Sequence, residues 1–293
     1  MTLRQVYQKG KTLLEKAGIE TPAFDAVCLF QNRFGLDRQQ LIVHGAEPAD
    51  EERAAAFLSL CEERAQGRPL QYILGEWPFM DFTLCVGEGV LAPREETELL
   101  VYAAAERLRK ITPDGGRPRV IDLCGGSGAV ALGLASLLPG AELLCAEWYD
   151  GAYQYLRENI RRTGFSRVSP VQLDVLAPES AARFSGLDAV VSNPPYVEAG
   201  TIDGLQREVQ REPRTALDGG ADGLVFYRAI ARLWIPRLKP GGLVAVEIGE
   251  GQARAVAELF RGAGVQNIEI LQDFNGFDRV VLGRTAPVCP ASK

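Results

Sequence analysis

From Arg119 to about Leu282 the chain alternates between short β-type apolar runs and longer helical patterns, and this alternation limits the fold more than any other feature. Residues 120–123, 142–146, 168–173, 187–192 and 243–248 read as strands. Residues 129–138, 150–162, 224–238 and 252–263 carry helical spacing, with turns at Pro139-Gly140 and at Lys239-Pro240-Gly241-Gly242. Strands joined through helices run parallel, and their sheet is covered by helices on both faces. Two final strands, 268–271 and 279–282, have only seven residues between them and pair antiparallel. The pattern predicts an α/β fold with a doubly wound, mostly parallel, seven-stranded sheet.

The first 75 residues show helical spacing only. Leu3, Val6, Leu13 and Leu14 recur on one face; Thr21-Pro22 reads as an N-cap with proline at the first helical position; Asp37 with Gln40 opens another helix; residues 51–65 form one more. Residues 76–94 change character: Phe79, Phe82, Leu84 and Val86, with Gly87 and Gly89, suggest a β-hairpin leading into a helix after Pro93. The expected division is a helical recognition domain at 1–75, a hairpin linker at 76–94, a sheet domain at 95–285 and a flexible tail at 286–293.

Composition narrows the chemistry. The net charge of −6 suits a protein that does not grip nucleic acid through many phosphates. No apolar run approaches the ~20 residues of a membrane span, and residues 1–11 lack a signal-peptide core. Six dispersed cysteines fit reduced thiols in a cytoplasm, without disulfide or zinc spacing. The single histidine, His44, leaves no histidine metal cage or histidine-bearing triad, and its place after Leu41-Ile42-Val43 suggests a surface or capping role. No metal is expected.

In an open α/β sheet the ligand crevice lies outside the carboxyl ends of the strands. The first strand is followed by Cys124-Gly125-Gly126-Ser127-Gly128, where glycines let backbone approach a ligand closely. Glu147 ends the second strand, 21 positions after Gly126, where a carboxylate can accept from ribose hydroxyls. Asp174 follows the third strand, placed to accept from an adenine amine. Together these point to an adenosine site, for either a nicotinamide dinucleotide or S-adenosylmethionine. The fourth strand decides: it ends in Ser192-Asn193-Pro194-Pro195-Tyr196. Two prolines fix a rigid loop, the Asn193 side-chain oxygen and the Pro194 carbonyl can accept both N–H bonds of a planar –NH2 group, and Tyr196 offers a ring to pack against it. An amino group receiving a methyl needs such a loop; a nicotinamide does not.

With these residues in place the chain resembles the N5-glutamine methyltransferases that modify the Gly-Gly-Gln loop of peptide-chain release factors. The likeness covers nearly the whole chain and is carried by Pro93-Arg94-Glu95-Glu96-Thr97-Glu98, residues 122–128, Asn193-Pro194-Pro195-Tyr196, Glu212-Pro213 with Ala216-Leu217, and Asp278-Arg279-Val280 with Gly283. It implies a class I S-adenosylmethionine methyltransferase fold, with S-adenosyl-L-homocysteine as coproduct. By the same resemblance Cys124, Gly125, Gly126, Ser127 and Gly128 line the methionine end, with Asp122 and Asn193 also on the cofactor. Glu147 holds the ribose, and Asp174 with Val175 borders the adenine. Asn193, Pro194 and Tyr196 are the implied catalytic residues, and with Pro195 they bind the substrate glutamine. The resemblance further implies that the helical domain clamps the release factor; a monomer is expected. Cys124 stands where the family usually has glycine, which suggests a slightly shifted loop.

A related branch that methylates a ribosomal-protein glutamine carries the same Asn-Pro-Pro-Tyr, but Pro93 to Glu98 looks more like the release-factor branch. An adenine-N6 nucleic-acid methyltransferase uses the same logic on a flipped base, against which stand the charge and the lack of a basic target-recognition domain. An idle S-adenosylmethionine-binding module would bind without turnover.

Overall fold

The computed structural model describes residues 1–112 and 116–287; most of the expected tail, with Cys289, lies outside the described residues. In chain order the helices are α1 (Leu3–Lys16), α2 (Pro22–Phe34), α3 (Arg38–His44), α4 (Glu51–Ala65), α5 (Leu70–Leu74), α6 (Glu96–Ile111), α7 (Ala129–Leu137), α8 (Asp150–Thr163), α9 (Pro178–Ala182), α10 (Val225–Ala229) and α11 (Ala253–Gly262). The strands are β1 (Glu76–Phe79), β2 (Phe82–Cys85), β3 (Arg119–Leu123), β4 (Glu142–Glu147), β5 (Val168–Gln172), β6 (Leu187–Ser192), β7 (Leu238–Glu247), β8 (Val265–Gln272) and β9 (Asp278–Thr285). No described helix is long and apolar enough to cross a membrane.

Two compact units emerge. The first is Met1–Glu76 together with Gln206–Glu212. Its helices start on local chemistry: Thr2 with Gln5 and Asp37 with Gln40 form reciprocal capping boxes, and Asp50 accepts from the Arg53 N–H. Thr21 departs from the expected cap. Its hydroxyl donates to Asp25 Oδ1 at 2.8 Å and makes no bond to the helix backbone. Asp25 is buried and needs that donor. Leu14, Leu29, Phe30, Phe57 and Cys61 form the interior, and Gly10 exists because a Cβ there would collide with the Phe57 ring. His44 is surface-exposed and pairs with Glu47 through Nδ1 at 2.7 Å. Arg64 ties the added segment into this unit, with Nε on Asp25 Oδ2 at 2.7 Å and Nη2 on Glu208 Oε1 at 3.0 Å.

The second unit, Trp77–Leu205 with Pro213–Lys293, holds the seven-stranded sheet in the order β5-β4-β3-β6-β7-β9-β8. All neighbours are parallel except β7–β9 and β8–β9, the antiparallel pairs formed by the last strand. Successive residues of β3 serve opposite layers, as pleating requires: Val120 packs with Leu100, Leu108 and Leu132, while Ile121 packs with Tyr227, Trp234 and Phe260. The hairpin β1–β2 is no detached linker, for Phe79 and Leu84 are buried in the first of these layers.

Two local readings change. Residues 239–242 lie inside β7 and not in a turn before it. The Gly242 N–H donates to Thr285 Oγ1, the Gly241 N–H to the Ala286 carbonyl, and the irregularity shows as a register shift against β6. Residues 224–238 are not one α-helix: α10 passes into a π turn at Ile230–Trp234 and a 3-10 turn at Ile235–Arg237. Pro236 has no N–H to continue an α-helix, and Trp234 Nε1 donates to the Val175 carbonyl at 2.9 Å.

Candidate active site

At the carboxyl ends of β3, β4, β5 and β6 the second unit opens a cleft of about 190 Å³. Cys124, Gly125, Gly126, Ser127, Glu147, Asp174, Val175, Asn193 and Pro195 all line it, so four separate strand ends converge. Asp122, Gly128, Pro194 and Tyr196 do not line it and instead sit around the wall.

The loop after β3 is tightly wound. The Gly125 N–H donates to the Ala146 carbonyl at 2.8 Å, the Gly126 N–H to Glu147 Oε2 at 2.9 Å, and the Gly128 N–H to the Gly125 carbonyl at 2.8 Å. With these N–H groups turned inward, the loop does not offer them to a pyrophosphate, which counts against a dinucleotide. Acidic Glu147 and Asp174 on the cleft wall instead suit a ligand that carries positive charge. Glu147 also accepts from the Trp148 and Tyr149 N–H groups through Oε1 at 2.7 and 2.8 Å. Three of its roughly four acceptor positions are therefore used by backbone. Asp174 Oδ1 accepts from the Leu176 N–H at 2.8 Å, fixing the strand-end turn.

Beyond β6, the Ser192 hydroxyl donates to the Leu123 carbonyl at 2.6 Å and locks the base of the next loop to β3. Asn193 then donates from Nδ2 to Thr97 Oγ1 at 3.1 Å. The other amide atom, Oδ1, is an acceptor with two lone pairs.

The comparisons with known proteins agree along the chain. A family model described as PrmC N-terminal domain matches residues 5–75, and one described as methyltransferase small domain matches residues 97–229. The release factor glutamine methyltransferase of Moorella thermoacetica is 39% identical over 96% of this chain and 98% of its own. The protein of the same name from Geobacter sulfurreducens is 39% identical over 97% and 96%. This chain belongs to the release factor glutamine methyltransferase family. In fold it is also similar to the hMettl16 catalytic domain solved with an RNA hairpin, at a TM-score of 0.53 and 15% identity, covering 83% of this chain and 85% of that one. The sheet order and the flanking helices are those of a class I methyltransferase.

Cys124 sits at φ 59°, in the left-handed region that favours glycine. Cys124 is half-buried at the cleft wall, and desolvation there, with the nearby Glu147 and Asp122 charges, pushes its thiol pKa well up. Gly125 has no such freedom, because a Cβ there would fall inside contact distance of Cys145 Sγ, on a fully buried side chain. Gly125→Ala is expected to cost ~1–3 kcal/mol by overpacking and to weaken cofactor binding, measured by thermal melting and calorimetric titration; a wild-type melting temperature would refute this.

Asp122 is 1% exposed and works from beneath the loop. Its Oδ2 accepts from the Ala131 N–H at 3.1 Å and from Cys145 Sγ at 3.5 Å, while Oδ1 has no partner among the described residues. Burial raises its pKa from 3.8 to about 7, with the Glu147 charge adding to the rise and the two hydrogen bonds opposing it. The folded chain therefore binds a proton that the unfolded chain has released between about pH 4 and 7. Stability from this group is complete below the lower value and is lost as pH rises through the upper one. Asp122→Asn abolishes that titration, so the variant's melting temperature is expected to gain on the wild type between pH 5 and pH 8. A constant difference across that range would refute this.

Several cleft residues had no place in the sequence reading. Trp148 and Tyr149 line the wall with 53% and 46% exposure, directly after the strand-end acid, and that position was their available signal. Thr215 and Phe226 reach the cleft from distant segments, and local pattern gave no sign of it.

Proposed function

We propose that this chain transfers a methyl group from S-adenosylmethionine to the side-chain amide nitrogen, N5, of the glutamine in the Gly-Gly-Gln motif of peptide-chain release factors, as a monomeric cytoplasmic enzyme that tunes translation termination. The observation that carries the reading is the placement of Asn193: it lines an acid-walled cleft at a strand end, with its Nδ2 engaged elsewhere. The near full-length likeness to curated release factor glutamine methyltransferases selects the substrate.

The donor fits the cleft on the loop and acid geometry above. Cys124 to Ser127 would hold its methionine end, Glu147 the ribose, and Asp174 with Val175 the adenine. S-adenosylmethionine supplies a sulfonium-bound, electrophilic methyl group. An amide nitrogen is a weak nucleophile because its lone pair is delocalised into the carbonyl. Asn193 Oδ1, on the cleft wall, would accept one N–H bond of the glutamine –NH2, and the Pro194 carbonyl, next on the same loop but outside the cleft lining, would have to turn toward the cleft to accept the other. Together they would fix the amide plane and stabilise positive charge growing on nitrogen. With the donor bound, the glutamine nitrogen held by this loop would take the methyl, its new N–C bond replacing the donor's S–C bond, and would then release one proton. The loop requires no strong base before attack.

The test is transfer of label from methyl-labelled S-adenosylmethionine to an unmodified release factor, beside a copy whose Gly-Gly-Gln glutamine is alanine. Label on the first alone is expected. Label on neither, or on both equally, overturns the assignment of substrate.

A further inference from the structure

The loop that carries Asn193 is anchored to a chain of buried side chains that the proposed chemistry does not itself touch. Glu247, the last residue of β7, is 1% exposed, and its Oε2 accepts from the Thr97 hydroxyl at 2.7 Å. Thr97, in the first turn of α6, is 3% exposed, and its Oγ1 also receives the Asn193 Nδ2 bond at 3.1 Å. Tyr196 points its hydroxyl at Glu247 Oε1 from 3.5 Å, and Tyr227 donates to the Glu247 carbonyl at 2.9 Å. The direction of donation along this chain follows from hydrogen counting alone. A threonine hydroxyl has a single hydrogen. Once that hydrogen is given to the carboxylate, only lone pairs remain for Asn193, and the amide must turn its –NH2 end toward Thr97.

We propose that Thr97, held by Glu247, is a positioning residue that sets which end of the Asn193 amide meets the substrate. With the –NH2 end captured, the acceptor Oδ1 is the end offered to the cleft, so the site takes a group that donates, a primary amide, and disfavours one that only accepts, a carboxylate. A polar site built for one hydrogen-bonding pattern rejects the reverse pattern strongly, because a mismatched group leaves buried polar atoms unpaired. The inference rests on the reading that Asn193 receives the glutamine amide.

An ionised Glu247, acceptor on both oxygens, fixes this order of donors most firmly. Burial raises its carboxyl to about 7 from 4.5; the Thr97 and Tyr196 hydroxyls and the Arg279 charge act against the rise, and Glu96 adds to it. Assays are therefore run above that value, at pH 8, where the ionised form is favoured.

The experiment measures kcat and KM for the release factor, and S-adenosylmethionine affinity by calorimetry, in Thr97→Val, Thr97→Ser, Asn193→Ala and the Thr97→Val/Asn193→Ala double variant. Thr97→Val keeps the side-chain shape and removes the hydroxyl. It is expected to lower kcat ~10–10²-fold with a smaller change in KM, and Thr97→Ser is expected to recover most of that loss. In the Asn193→Ala background, Thr97→Val should cost no more than about threefold, since residues acting through one group are not additive. Retained cofactor affinity shows that each variant is folded; Thr97→Ala replaces Thr97→Val if the latter does not bind. A kcat kept in Thr97→Val but lost in Asn193→Ala overturns this inference alone, as does a full multiplicative loss in the double variant. A kcat kept in Asn193→Ala overturns the glutamine-binding reading, and this inference with it.

Discussion

Asn193→Ala is expected to lower kcat for the release factor by about 10²–10³, while S-adenosylmethionine affinity changes far less. The size follows from what is removed: one of two acceptors that hold a poor nucleophile in plane and meet its growing charge. A lost ground-state contact would appear mainly in KM, whereas an acceptor whose bond strengthens as nitrogen turns positive appears in kcat. The structural cost is smaller. Asn193 also gives up its bond to Thr97, worth ~1 kcal/mol for a neutral pair, which leaves a cleft defined by four strand ends in place. Glu147 and Asp174 stand on other strands and keep their backbone bonds. Single-turnover kinetics with saturating cofactor separate the outcomes. A kcat within a few-fold of wild type means that Asn193 does not hold the reacting amide.

The sheet was legible because its strands bury both faces, so Val120-Ile121, Val190-Val191 and Val244-Ala245-Val246 stand out as apolar runs between helical spacings. The glycine loop, Glu147, Asp174 and Asn193 were legible because ligand chemistry in such a sheet collects at strand ends, where local sequence marks the boundary. What escaped was non-local. Glu247 read only as the end of an apolar strand, and its partnership with Thr97 spans 150 positions. Nothing near Pro236 announced a π turn, at whose end Trp234 donates to the distant Val175 carbonyl. Asp122 and Tyr196 are outside the cleft lining, and their side chains bond to the Ala131 N–H and to Glu247. The segment Gln206–Glu212 was the largest miss: by sequence it lies deep in the sheet domain, yet it belongs with the helices.

Arg64→Met is expected to produce the largest loss of stability, ~3–5 kcal/mol within the helical unit. The Arg64 and Asp25 side chains are 7% and 3% exposed, and the pair is joined at 2.7 Å. Methionine fills much of the same space but donates nothing, so Asp25 keeps only the Thr21 hydroxyl as a side-chain donor inside an apolar interior. Removing one member of a buried pair strands the other charge, and that penalty far exceeds what an exposed pair such as Lys110–Glu106 contributes. The Asp25→Asn/Arg64→Met double variant carries no buried charge and is expected to recover at least half of the loss. Hydrogen exchange on the full chain is the suitable readout, since it reports each unit separately. Protection in α2 and α4 should fall by ~10²–10³, from the tenfold change that accompanies each ~1.4 kcal/mol, with the sheet much less affected. Gln206–Glu212 makes the result diagnostic. Arg64 holds it at Glu208, and Gln206 Nε2 donates to Glu20 Oε1 at 3.1 Å. Loss of protection there in step with α4 would mean that the segment unfolds with the helices, although the chain on both sides of it, at Leu205 and Pro213, is part of the sheet unit. Protection in α4 within threefold of wild type would mean that the pair is not the support its burial implies.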